Sequence, residues 1–202
     1  MKTMKHSFVL LTCAFTLLST GCVKLWQKNL DIKTYMVEVR RDSQPLEKPL
    51  ADKLWIDNIH VLPPYNIRNL ILRESDVEFT PSYYTELLMS PSENFRNGFY
   101  GWFSDSRIFK DVSVVDRSAM SHRLVATVMD FYGDTVENRA VLRIKVSLFD
   151  EKTKGLRVLF SKDYLQQIEI PEASAEELMR AYNQAFTLIL VDCEKDVAIA
   201  LK

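Results

Sequence analysis

The sequence predicts an α+β domain, a mostly antiparallel sheet with two main helices packed on it, one short and aromatic and one long and C-terminal. Three observations carry this. Ser90-Pro91-Ser92-Glu93 and Ser174-Ala175-Glu176-Glu177 are helix-start signals, each followed by apolar residues at steps of three and four. Before and between them, apolar and polar residues alternate in runs cut by turn residues, the period of strands with one wet face. From residue 34 onward no low-complexity stretch, repeat or linker divides the chain, so 34–202 reads as one domain with a real core.

The first residues read differently. Lys2 and Lys5 precede the uncharged run from Phe8 to Leu18, and Ser19-Thr20-Gly21-Cys22 closes it with small residues. That three-part layout is a secretory signal, and the run is shorter than the roughly 20 residues a spanning helix needs. Leu18-Ser19-Thr20-Gly21-Cys22 resembles a bacterial lipobox, which implies cleavage before Cys22 and a lipid on its sulfur. The expected organisation is a lipoprotein signal peptide at 1–21, a lipidated tether at 22–33 and the domain at 34–202. Acyl chains contribute about 0.8 kcal/mol per buried methylene, and two or more hold a protein stably on a bilayer. Val23 is not the aspartate associated with inner-membrane retention, which points to the periplasmic face of the outer membrane.

Composition narrows the function. The chain has 26 Lys+Arg and 27 Asp+Glu, and removal of Lys2 and Lys5 leaves 24 against 27, a formal charge of −3. Nucleic-acid binding, which wants a basic face, has no support. Of three cysteines, Cys13 leaves with the signal and Cys22 takes the lipid, so Cys193 has no partner for a disulfide.

Along the domain, Tyr35, Val37 and Val39 alternate with Met36, Glu38 and Arg40, predicting a strand over 34–41. Residues 42–53 hold Pro45 and Pro49 and read as a loop. A second strand, 54–61, stops at Leu62-Pro63-Pro64-Tyr65, because neither proline can donate to a ladder. Short extended pieces follow at 69–73 and 77–80 with a turn at Ser75-Asp76, then another at 83–89. Ser90 caps the aromatic helix, with Pro91 at its first position and Glu93 completing a capping box. Phe95, Phe99, Trp102 and Phe103 form a stripe that reads as core, and Gly98 and Gly101 read as close-packing positions. Strands are expected at 112–115, 123–132, 138–149 and 156–168, the last three a meander. From Ser174 to Ala200 no glycine or proline interrupts, and Leu178, Tyr182, Phe186, Ile189, Cys193, Val197 and Ala200 line one face of a helix about 39 Å long. Cys193 is expected to be buried and inert.

Chemistry is absent from the pattern. His60 and His122 sit in no zinc spacing, the four glycines after the signal form no phosphate-cradling loop, and no nucleophile elbow or Ser-x-x-Lys is present. Asp130, Asp134 and Glu137 crowd one hairpin without a calcium-loop pattern and read as a solvated turn. The expectation is a non-enzyme with no metal and no cofactor beyond the covalent lipid on Cys22.

The lipobox, the Leu62-Pro63-Pro64-Tyr65 turn, Ile71-Leu72-Arg73 and the stretch from Tyr84 to Phe109, in that order, resemble the ABC-type transport auxiliary lipoproteins over most of residues 22–202. The resemblance implies a non-catalytic docking component at the outer-membrane end of an envelope lipid-transport system, working beside mammalian-cell-entry (MCE)-type proteins with the ATPase a separate subunit. The alternative is a lipoprotein that itself binds a lipid or envelope ligand in an apolar groove between the terminal helix and the sheet. The candidate contact surface is Leu62, Pro63, Pro64, Tyr65 and Arg68, a stiff turn with an aromatic and an arginine. The other reading of that turn is a plain crossing at the end of the sheet.

Overall fold

A computed structural model describes residues 31–152, 157–172 and 174–202. Among these the chain forms β1 (Lys33–Tyr35), β2 (Ala51–Ile56), β3 (His60–Val61), β4 (Asn69–Arg73), β5 (Phe79–Leu87), α1 (Pro91–Ser106), β6 (Phe109–Ser113), β7 (His122–Asp134), β8 (Arg139–Asp150), β9 (Arg157–Glu169) and α2 (Ala175–Ala200). The expected α+β class holds.

β7 is the spine. It pairs antiparallel with β8 along its whole length, and β8 pairs likewise with β9, giving the expected meander. Its other edge is filled piecemeal by β2, β3 and β4, which attach in turn at His122–Leu124, Thr127–Val128 and Gly133–Asp134, all parallel. β6 adds to β2 in parallel, β5 to β4 antiparallel, and β1 to β5 in parallel. The long ladders are therefore antiparallel and the short N-terminal ones mostly parallel. Parallel neighbours need a crossover, and α1 supplies it between β2 and β6.

Two expected strands are shorter than their alternation. The 54–61 run breaks after Ile56, where the Asp57 carboxylate accepts the Asn58 N–H at 2.8 Å and takes the backbone off the ladder. The 34–41 run is strand only to Tyr35. Beyond it the alternation persists, with Val37 buried and Met36 and Glu38 exposed. The partners are helix side chains: Asn94 of α1 accepts the Val37 N–H at 3.0 Å and donates to its carbonyl at 2.6 Å, and Asn183 of α2 accepts the Glu38 N–H at 3.0 Å. An inward-outward pattern reports burial, and an amide side chain satisfies an extended backbone as a strand would.

Both helix starts form as read. Ser90 Oγ accepts the Glu93 N–H, and Ser174 Oγ accepts the Glu177 N–H, each at 3.3 Å. Glu93 closes its box on the Ser90 hydroxyl at 2.7 Å. Both helices lie on one face of the sheet. Phe131 of β7 meets Phe95 of α1 at 5.2 Å and Tyr182 of α2 at 4.5 Å, and Phe186 meets Phe95 and Phe99 at 5.0 and 5.4 Å. Gly98 makes this approach possible, since a Cβ there would stand 2.3 Å from the Phe186 ring. Gly101 has open space around it, so close packing explains one of the two glycines.

Candidate functional site

The turn after β3 begins where the ladder ends. Leu62 donates its N–H to Val128 at 3.0 Å, Pro63 and Pro64 have none to donate, and the Tyr65 N–H closes back on the Leu62 carbonyl at 2.9 Å. Pro63 and Pro64 are exposed and Leu62 half-buried. Tyr65 is 8% exposed: its ring stacks on Tyr132 of β7 at 6.0 Å, and Phe79 of β5 meets the far edge of this pair, 5.3 Å from Tyr132. Burial pushes the Tyr65 hydroxyl up to about 12. Arg68 reaches β5, its Nε donating to the Leu87 carbonyl at 2.7 Å and a terminal nitrogen lying 3.5 Å from the Glu86 carboxylate. Tyr65 and Arg68 thus brace the turn against the sheet.

What the turn presents is a groove. Pro63, Pro64 and Ile67 on one side and Ile71, Phe79 and Pro81 on the other enclose about 500 Å³ that opens to solvent, with a mostly apolar lining. The sequence pointed to the turn and missed the opposite wall. Pro81 inside a strand was the available signal, because proline is confined to positions where the ladder is not needed.

Beside this wall β5 bulges. Asn69 pairs with Glu86 and Ile71 with Pro81, so four residues of β5 stand opposite Leu70 alone. The Asn69 side chain pins the bulge by donating to the Ser82 carbonyl at 2.9 Å. Tyr83 and Tyr84, inside the bulge, are 71% and 61% exposed.

A second depression, about 540 Å³, lies where β2, β6, the ends of β7 to β9 and the end of α2 meet. It is polar, lined among others by Asp52, Lys110, His122, Asp150, Lys152 and Arg157. His122 is mostly buried, which holds its imidazole below the ordinary value. Its Nδ1 is 2.9 Å from Ser121 Oγ. That hydroxyl donates to the Lys53 carbonyl at 2.8 Å and accepts the Lys53 N–H at 2.9 Å, so its proton is committed and the pair is structural. His60 is exposed.

The remaining chemical groups serve the fold. Asp134 is fully buried, 2.8 Å from Arg73 and 3.5 Å from Arg139, and accepts the N–H groups of Val136 and Glu137 at 3.1 Å. The acidic hairpin is therefore an ion-paired turn, which corrects the solvated reading, since aspartate spacing cannot show arginines from other strands. Cys193 is fully buried, its thiol pushed up by desolvation, as expected for an inert residue. The face of α2 toward the sheet is filled by Leu178, Tyr182, Phe186, Ile189, Cys193 and Val197, all buried. Among the described residues no group of three or more His, Cys, Asp or Glu is placed to hold a metal, and no helix is long and apolar enough to cross a membrane. Cys22 lies outside the described residues.

No family model and no curated protein matches the chain. Solved structures do. Protein XCC0632 from Xanthomonas campestris, described as DUF330, aligns with a TM-score of 0.70 and 13% identity, over 83% of this chain and 96% of that one. An uncharacterised protein aligns with a TM-score of 0.67 and 13% identity over 82% and 98%. Hypothetical protein CT253 from Chlamydia trachomatis aligns with a TM-score of 0.51 and 6% identity over 71% and 96%. At these identities the likeness is one of fold.

Proposed function

We propose that this protein is a non-catalytic docking lipoprotein, anchored through Cys22 on the periplasmic side of the outer membrane and serving as an auxiliary component of an ABC-type, MCE-linked lipid-transport system. The observation that carries the reading is the open apolar groove between the 62–68 turn and the β4–β5 hairpin. Exposed apolar surface shaped by rigid prolines suits an interface, because little side-chain freedom is lost on docking. Its occupant in this reading is an apolar segment of an MCE-type envelope protein. The sequence resemblance supports the same role.

The groove volume also falls within the range of small-ligand sites, roughly 300–1,000 Å³, so the second reading is a lipid held there. A photo-crosslinking residue at Ile67, which is exposed on the groove wall, separates the two in intact envelopes. The expected product is a covalent adduct with an envelope transport protein. Adducts with lipid alone transfer the groove to ligand carriage, and adducts with neither remove it as the site.

A further inference from the structure

We propose that the β5 bulge is a membrane-contact element, placing Tyr83 and Tyr84 in the headgroup region of the same bilayer that holds the anchor. This rests on the lipid-anchor reading above and adds a surface of the folded domain to it. Within the register break two consecutive aromatic residues are both exposed. Bulges re-aim side chains, and here the exposed pair has no core to fill. Tyrosine is suited to a lipid interface, with an apolar ring body and a polar tip that stays wet.

The position of the bulge says which surface it meets. β1 runs parallel to β5 with Lys33 opposite Thr85, so the chain joins the sheet directly beside the bulge. Ile32 is 43% exposed at this point, and Lys33 is exposed with a long stem that can reach the headgroup layer. Nine residues lie between Cys22 and Ile32. The ten Cα–Cα steps span at most about 36 Å, which bounds how far the start of β1 can stand from the lipid. A leash converts a weak contact into an intramolecular one with a high effective concentration. The tip of the same hairpin, at the other end of its ladder, carries Glu74, Asp76 and Glu78, all exposed. The contact itself is aromatic and suits a largely zwitterionic surface.

The test uses the full-length lipidated protein on vesicles of phosphatidylethanolamine with a minor share of phosphatidylglycerol. Nitroxide labels are placed at Tyr83→Cys, Tyr84→Cys and, as control, Val115→Cys, which is exposed on the loop after β6. Cys193 is buried and stays unlabelled. Flotation is scored first: the protein floats with the vesicles and Cys22→Ser does not. Both bulge labels are then expected to be relaxed more by oxygen than by an aqueous nickel complex, with the reverse at Val115. A wild-type protein that does not float overturns the anchor reading and this proposal with it. A floating protein with aqueous values at either bulge position, or lipid values at all three, overturns this proposal alone.

Discussion

At the scale of single residues, the two glycines of α1 make a controlled comparison. Both sit in a helix interior, where glycine costs roughly 0.5–1 kcal/mol relative to alanine. At Gly98 that cost accompanies contact with Phe186, and a Cβ would fall 2.3 Å from a ring with no solvent to move into. Gly98→Ala should destabilise the domain by about 1–3 kcal/mol through overpacking. Gly101→Ala meets nothing within 4 Å and should stabilise it by about 0.5–1 kcal/mol. Urea unfolding midpoints moving in opposite directions check the pair, and equal shifts would remove the packing account of Gly98. The sequence treated the two alike because helical spacing gives a face, and the partner on that face comes from a helix far along the chain. Tyr65 shows the same limit. Beside two prolines it reads identically as a presented ring or a buried brace, and only Tyr132 decides between them.

Elements were legible where a signal is local. Two serine caps, a proline at the first helical position and a 3.6 period placed both helices, and alternation placed β7, β8 and β9. Their contribution to the core is testable. Phe99 and Ile189 are fully buried on facing helices, and each truncation to alanine should lose about 2–5 kcal/mol in chemical unfolding. Near-unchanged midpoints for both would mean that the helices do not carry the core. Strand partners were not legible. Alternation fixes which residues face inward and is silent on direction, so the parallel attachment of β2, β3 and β4 to β7 could not be read from it. The candidate groove divides in the same way. Its turn wall announces itself through Pro63-Pro64, whereas Phe79 and Pro81 join it only because the β4–β5 hairpin folds back beside the turn.

On the scale of the whole molecule, the chain after β1 lies across both helices as a strap held by their side chains. Asn94 comes from α1, and Asn183 and Glu194 from α2. Arg41, with a side chain 5% exposed, makes two 2.9 Å bonds to Glu194, which also accepts the Trp102 indole N–H at 2.6 Å. Further on, Leu46 donates its N–H to the carbonyl of Ser106, the last residue of α1, and Leu50 donates to Ile108 just beyond it. None of these partners could be found from the sequence, since an asparagine in a helix is merely a weak helix former and its bond here spans 57 residues. Side-chain clamps differ from a ladder in one respect that can be measured. A ladder shares the load among neighbouring bonds, whereas the Val37 N–H and carbonyl both depend on the single Asn94 amide. Asn94→Ala leaves two buried backbone groups without that partner, at a cost of about 1–3 kcal/mol for each group that stays dry. The strap should answer first, because opening it restores water to those groups without disturbing the long β7–β8 ladder. Amide exchange at Val37 and Glu38 is therefore expected to rise sharply in Asn94→Ala, with protection at Leu124–Val128 and Ile144–Leu148 kept. Unchanged exchange at Val37 would show that the strap is held elsewhere, and equal loss across β7 and β8 would show that strap and sheet open as one cooperative unit.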